Sequence, residues 1–491
     1  MIRIVTAILL VAAFARIHDG TRDIRFHSDE ALYSAYARNA AVHGKWGLDG
    51  PLDKPPLSIY ASALGMHFFG SEITPDNVID VPIIRGEFAA KLPNIFAGLI
   101  TVALIFSLTR TLYQRDHSVA LMAMLIAAVS PYMIAYSSSA FTDALMLLFM
   151  TAAVVMAARS RPSICGALFA LSVAAKPQGI LYIPLAIGFL WLADIQARRF
   201  FDKFWRDTGK LGITLAGGVA ILLAWDMMRP ETSIFTLGAV NISQGRTFAP
   251  VGDWGSRLSD WLEHGGDLLG SAWFTAALAI AGVIPPLIRR HKTDLILLVY
   301  VLGFFALHWI GAFFTFDRYL LPLVPPMAML SARGVVWGMS QIRISETTRL
   351  GYAYGLISIV IVILGLTGYH DPRADSYHGE SEQGILEFAA YIHDKPPGAI
   401  IYDRWLGWEM SYYLGAWNDK RSVYYPEPAN LATDALLNPD RAPRYLIAPA
   451  TQDVDDWLDS LARNGFEITL DYARDGYVSY EIIPPAGDEG A

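Results

Sequence analysis

The chain has 491 residues, 54% of them hydrophobic and 17% charged, with a mean hydropathy of +0.35 and a formal net charge of −8. A soluble globular protein would carry about 25% charged residues, and here the deficit is concentrated in roughly the first 370 positions. These figures exclude a purely cytosolic enzyme and a disordered chain. The single cysteine, Cys165, excludes an intrachain disulfide or a cysteine metal cluster, and no Lys/Arg block is dense enough to point to nucleic acid.

A membrane-spanning helix needs roughly 20 mostly apolar residues. In chain order, the stretches that qualify lie at about 2–17, 88–112, 118–136, 140–158, 163–176, 178–193, 211–229, 269–288, 294–314, 319–338 and 350–369. The first also resembles a cleavable signal peptide, with MIR, an apolar run and then Ala13-Phe14-Ala15. Either reading delivers residue 18 to the same side. The expected fold is a polytopic α-helical membrane protein of about eleven transmembrane helices, followed by a small α/β domain.

Orientation follows from the excess of basic residues in cytoplasmic loops. Fourteen lie on alternate loops: Arg110 and Arg115; Arg159 and Arg161; Arg198, Arg199, Lys203, Arg206 and Lys210; Arg289, Arg290 and Lys292; Arg343 and Arg349. The intervening short loops carry only Lys176 and Arg318. This parity requires two crossings between 163 and 193, broken at Lys176-Pro177-Gln178-Gly179 where Pro and Gly interrupt the helix. The first arm, of about 14 residues, reaches only about 21 Å, so Lys176 is expected in an outward-facing depression.

The outer segments are then 18–87, 230–268 and everything after 370, giving a catalytic membrane domain over 1–370 and an extracytoplasmic domain over 371–491. The stretch 56–70 is too short to span and reads as an interfacial helix. In the tail, 400–403, 422–425 and 444–450 read as strands, 453–465 as an amphipathic helix ending at a Gly cap, and 467–483 as a hairpin turning at Asp475-Gly476.

A charge at the centre of a membrane span costs roughly 2.5–3.5 kcal/mol on insertion scales, so those that remain need a reason. Five sets stand out: Asp29-Glu30 in HSDEALY, Asp53-Lys54 in LDKPPL, Asp143 in SSSAFTDAL, Lys176 in AAKPQG and Arg318 in FDRYLLPLVPP. The topology drawn from the basic loops puts all five on the outer face. Lys54, Lys176 and Arg318 suit a phosphate at the membrane surface. Asp29, Glu30, Asp53 and Asp143 suit a base, a hydroxyl-positioning group or a divalent-cation ligand. A phosphorylated lipid and a hydroxylated co-substrate would satisfy the set; snorkelling or interfacial side chains are the bland reading.

In combination, HSDEALYSAYAR, DKPPLSIY, AAKLPNIFAG, AFTDALML, LSVAAKPQGILYIP and DRYLLPLVPP resemble the GT-C glycosyltransferases, on the branch of the protein O-mannosyltransferases and the lipid A aminoarabinose transferase. The resemblance covers about residues 1–370. It implies a GT-C fold, a polyprenyl-phosphate sugar as donor, transfer on the extracytoplasmic face of the plasma (bacterial inner) membrane, and a lipid, glycan or protein acceptor. It implies Asp29, within Asp29-Glu30, as the catalytic carboxylate and Lys54, Lys176 and Arg318 as donor-phosphate contacts. Asp53, Asp143 and Tyr33 are then supporting or substrate-binding residues. The family's usual Arg-Leu-Pro is replaced here by Lys91-Leu92-Pro93, and the extra sugar-binding domain of eukaryotic protein mannosyltransferases is absent.

The expected reaction is one inverting attack by an acceptor hydroxyl on the anomeric carbon, a hexosyl or pentosyl transfer with lipid phosphate as leaving group. Asp53 and His264 are candidates for a divalent cation, Mg or Mn, although a solvated loop histidine is the plainer reading of His264. The segment RWLGWEMSYYLG (404–415) could stack on sugars or simply pack the small domain, and Asn241-Ile242-Ser243 matches a glycosylation acceptor. Two other functions compete: a transporter or flippase of lipid-linked sugars, and a binding or assembly protein. Flippase-type sites favour the midplane between repeated halves, and no internal repeat is found here.

Overall fold

The computed structural model describes residues 1–114, 116–196, 200–243, 245–341, 347–367, 384–437 and 442–485. The basic residues Arg115, Arg198, Arg199 and Arg343 lie outside them. The chain forms two compact units. One gathers residues 1–22, 47–61 and the run from 91 through the last apolar helix. The other gathers 23–46, 62–90 and the C-terminal region from the helix Ile385–His393 onward.

In the first unit each of the eleven expected stretches contains a helix. Five helices among the described residues are long and apolar enough to cross a membrane, six if the bent pair His117–Ala128 and Pro131–Ser137 counts as one span, and four shorter apolar helices accompany them. The first helix, Ile2–Gly20, carries Arg3, Arg16 and Asp19 and buries Arg16 completely. Arg16 Nη1 donates to the carbonyls of Ala12 at 3.0 Å and Ala128 at 3.1 Å, so the charge ties this helix to its neighbour. The expected break at Lys176 is present. Pro162–Ala175 ends there, a 3₁₀ turn runs Pro177–Tyr182, and Ile183–Gln196 follows. Proline supplies no amide for the helix ladder, which accounts for the change of winding. The stretch 56–70, expected as one interfacial helix, is an apolar helix over Leu57–Gly65 that passes into a π turn over Met66–Gly70.

The second unit is built on a five-stranded sheet. After a short hairpin of β1 (Glu72–Ile73) and β2 (Ile79–Asp80), the sheet strands are β3 (Ile400–Asp403), β4 (Arg421–Val423), β5 (Arg444–Pro449), β6 (Glu467–Arg474) and β7 (Tyr477–Ile483). Their order is β4-β3-β5-β7-β6: β3 runs parallel to β4 and β5, and β7 antiparallel to β5 and β6. The β6–β7 turn takes positive φ at Asp475 (54°) and Gly476 (83°), the conformation that favours Asp-Gly in two-residue hairpins.

Ile400 and Tyr402 alternate with Ile401 and Asp403 along β3, so the first pair reaches a core shared with Leu446, Leu431, Trp457, Leu461, Phe466 and Ile482. The helix Asp455–Arg463 buries Trp457, Ser460 and Leu461, the i, i+3, i+4 stripe of an amphipathic helix. Leu446 is fully buried at the centre of the sheet. Leu446→Ala is expected to destabilise this unit by about 2–5 kcal/mol, read as earlier proteolysis of the C-terminal region during thermal challenge of the full-length protein.

Candidate functional site

Asp29, Glu30 and Tyr33 lie on the helix Ser28–His43 of the second unit. His27 caps that helix: its Nδ1 accepts from the Asp29 amide at 3.0 Å, while Glu30 Oε2 accepts from the His27 amide at 3.3 Å, a reciprocal capping box. The two adjacent carboxylates therefore differ. Glu30 is buried and serves the cap, whereas Asp29 is half-buried in the first turn, where the helix dipole favours negative charge. Tyr33 is buried one turn further on.

The remaining candidates belong to the first unit. Asp143 opens the helix Asp143–Ala158 and accepts a hydrogen bond from Lys176 Nζ at 2.6 Å, with both side chains about 2% exposed. Lys176 stands in extended backbone between its two helical arms, with its ammonium 4.9 Å from the Tyr319 ring centroid. Arg318, in the 3₁₀ segment Asp317–Leu323, lies between two aromatic rings, 4.8 Å from Phe141 and 4.9 Å from Phe316. Asn94 donates to the carbonyls of Ser139 and Phe141, and the Tyr182 hydroxyl donates to the Pro322 carbonyl, so both backbone segments are anchored.

Lys54 is buried and pairs with Asp53, which also accepts from Asn241 Nδ2 at 3.3 Å. The helix Ile234–Ser243 approaches this segment so closely that a Cβ at Gly238 would lie 2.9 Å from the Asp53 carbonyl oxygen. Arg318 and Lys54 both lie close enough to Lys176 to repel its ammonium. Three cations from positions 54, 176 and 318 thus converge within one unit. In a low dielectric each of these charges needs its own neighbour: Lys176 has Asp143, Lys54 has Asp53, and Arg318 lies against aromatic faces.

Other sequence candidates take different places. His264 Nε2 donates to the Thr315 carbonyl at 3.0 Å and the ring packs against Trp261. Asp53 is engaged by Lys54 and Asn241, and no group of three or more His, Cys, Asp or Glu that could hold a metal occurs among the described residues. Lys91 is buried in the first unit. Asn241 of the glycosylation-like triplet points its amide at Asp53. In 404–415, Tyr412 and Tyr413 are buried while Trp405 and Trp408 remain 58% and 45% exposed.

The aromatic walls Phe141, Phe316 and Tyr319 carried no charge to flag them in the sequence. Glu409 was also missed, hidden among tryptophans and tyrosines on the helix Gly407–Tyr413. Burial pushes its carboxyl up to about 7, helped by the neighbouring charges of Asp403 and Asp29. Burial likewise raises Asp403 to about 6, against the opposing backbone amides of Gly407 and Leu406.

A family model described as dolichyl-phosphate-mannose-protein mannosyltransferase matches residues 83–231. Among solved structures, the chain is similar to ArnT from Cupriavidus metallidurans bound to undecaprenyl phosphate, with a TM-score of 0.63 and 14% identity over 98% of this chain and 97% of that one. It is similar to the Archaeoglobus fulgidus oligosaccharyltransferase in its apo form, with a TM-score of 0.56 and 11% identity over 99% of this chain and 74% of that one. Arabinofuranosyltransferase AftD from Mycobacteria, mutant R1389S, aligns with a TM-score of 0.51 and 13% identity over 100% of this chain and 42% of that one. No curated protein matches the chain. The chain shares the fold of these solved structures.

Two outcomes follow from these charges. Asp143→Asn leaves Lys176 buried beside a neutral partner and is expected to destabilise the protein by about 3–5 kcal/mol, whereas the double change Lys176→Met with Asp143→Leu is close to neutral; thermal melting in detergent separates them. An unfolded Glu releases its proton near its ordinary 4.5, but folded Glu409 holds it to about 7. The burial penalty therefore grows as pH rises through that window and is absent below it. Glu409→Gln is expected to match the parent at about pH 4.5 and to exceed it by about 1–3 kcal/mol at about pH 8, measured as melting temperature against pH.

Proposed function

We propose that this chain is an integral-membrane glycosyltransferase that moves a monosaccharide from a polyprenyl-phosphate carrier to an acceptor hydroxyl on the extracytoplasmic side of a plasma membrane. The observation that carries the reading is the convergence of Lys54, Lys176 and Arg318 from three sequence-distant segments. An apolar bundle that keeps three basic side chains among its few polar groups suits a ligand that brings negative charge. A sugar phosphate on a lipid tail fits both the charge and the setting. The match to the dolichyl-phosphate-mannose-protein mannosyltransferase model and the fold shared with an undecaprenyl-phosphate-bound ArnT support the same donor class.

In this reading the acceptor oxygen attacks the anomeric carbon as the bond to phosphate oxygen breaks, and the anomeric centre inverts. The acceptor's proton goes to Asp29, the more accessible of the two adjacent carboxylates. The electron pair of the broken bond stays on the lipid phosphate, whose developing charge Lys54, Lys176 and Arg318 stabilise as fixed, preorganised dipoles and charges. Asp143 holds Lys176 in place, and the rings around Arg318 limit the directions in which its donors point. The acceptor is a lipid, a glycan or a protein. No observation favours translocation of the donor without chemistry.

The test uses purified protein in nanodiscs with a panel of undecaprenyl-phosphate-linked hexoses and pentoses and hydroxylated envelope acceptors. Turnover of one donor is expected. Asp29→Asn is expected to lower kcat by about 10²–10⁴, and Lys54→Gln and Arg318→Gln to weaken undecaprenyl phosphate binding without unfolding the protein. Donor crossing the bilayer with no transfer would overturn the enzyme reading, and full activity in a folded Asp29→Asn variant would remove Asp29 from the base role.

A further inference from the structure

The segment leading into the Asp29 helix is gripped from the C-terminal part of the same unit. Tyr413 Oη accepts a hydrogen bond from the Phe26 amide at 2.6 Å and donates one to Glu87 Oε1 at 2.7 Å. Glu87 Oε2 in turn takes Arg25 Nη1 at 3.0 Å. All four residues are buried, between 0% and 5% exposed. On the helix itself, Arg38 donates to the carbonyls of Tyr412 at 2.5 Å and Ser411 at 2.9 Å, and its guanidinium lies 4.6 Å from the Tyr412 ring centroid. The Tyr412 ring meets Phe26 edge-on at 4.9 Å, and its hydroxyl donates to the Ile83 carbonyl at 2.9 Å.

These contacts have a definite chemistry. The last carbonyls of any helix lack intrahelical donors, and here Arg38 supplies them for Gly407–Tyr413. A buried Arg–carboxylate–tyrosine chain contributes little net stability over an apolar packing of equal volume, but it admits few geometries. Burial also pushes both tyrosine hydroxyls upward, so they stay protonated donors. Phe26, held by Tyr413, immediately precedes His27, whose ring caps the Asp29 amide. From Tyr413 to Asp29 the path is thus a short run of fixed points.

We infer that the helix Gly407–Tyr413 is a positioning element of the transfer reaction, with Tyr413 and Arg38 fixing the segment that carries Asp29. The inference rests on the reading of Asp29 as the base. The sheet-bearing region then acts on the chemistry through the placement of a carboxylate, and Tyr413 and Arg38 are positioning residues that touch no substrate. Displacement of a reacting group by about 1 Å can reduce a rate about 10²-fold, so a clamp of this kind acts on kcat and leaves donor affinity alone.

The experiment compares full-length Tyr413→Phe, Arg38→Lys and Asp29→Asn in nanodiscs with the undecaprenyl-phosphate-linked sugar that turns over. Tyr413→Phe loses both hydrogen bonds while keeping the ring, and Arg38→Lys keeps the charge but loses the planar fork whose two nitrogens reach separate carbonyls. Each is expected to lower kcat at least tenfold in protein that remains folded, with unchanged KM for the donor and unchanged binding of undecaprenyl phosphate. Amide exchange at Phe26 is expected to accelerate in Tyr413→Phe. Wild-type kcat in both positioning variants while Asp29→Asn is inactive would overturn the inference and leave the base reading standing. So would kcat and KM moving together in both variants, the mark of a structural role. An active Asp29→Asn would instead overturn the base reading, and the Phe26 exchange rate would still report whether Tyr413 holds the segment.

Discussion

An ammonium group in an apolar helix bundle needs a compensating charge, and the arrangement of the first unit follows from that need. Lys176 meets it with Asp143 at 2.6 Å, at the point where one helical arm stops and the next begins. The pair sets the winding of the chain on both sides: Asp143 starts a helix with its carboxylate in the first turn, and Lys176 is released from helical geometry by the proline that follows. Arg318 and Lys54 lie near this pair, and Lys54 has a carboxylate of its own in Asp53. Aromatic rings line the array because their faces attract cations without bringing a competing anion.

The chain divides its tasks in an order that is not the order of the sequence. Segments 23–46 and 62–90 fold with the C-terminal sheet, whereas 47–61 between them folds with the apolar helices. The candidate base therefore belongs to one unit and the candidate phosphate contacts to the other. The expected outer loop over 18–87 is divided between them. The C-terminal region has a role in this arrangement that its ordinary composition gave no reason to expect, because its helix Gly407–Tyr413 holds the Asp29 helix through buried polar contacts.

Neighbouring residues of one type received different work. Asp29 and Glu30 are consecutive carboxylates, yet Glu30 closes a capping box and Asp29 is left half-buried in the first turn. Asp53 and His264, grouped as a metal pair by chemical type alone, each have a different neighbour: Lys54 and Asn241 for the first, the Thr315 carbonyl for the second. The tyrosines of 404–415 pack and clamp, while Trp405 and Trp408 remain exposed.

Much of this was legible in the amino-acid sequence because local physics writes it there. Apolar run length located the long helices of the bundle, proline and glycine marked the break at 176–179, and two-residue alternation with Asp-Gly punctuation located the strands and hairpin of the tail. The scarcity of charge in apolar surroundings singled out Lys54, Asp143, Lys176 and Arg318, since an ionised group there is too costly to retain without a use. Tertiary structure alone decided the partners: that Lys176 takes Asp143, that the Phe141 ring flanks Arg318, that Glu87 and Tyr413 hold the approach to Asp29. Lys176 and Asp143 are 33 positions apart, and Tyr413 and Phe26 are 387 apart. A pairing at that range depends on how helices pack, which hydropathy and periodicity along one chain do not encode.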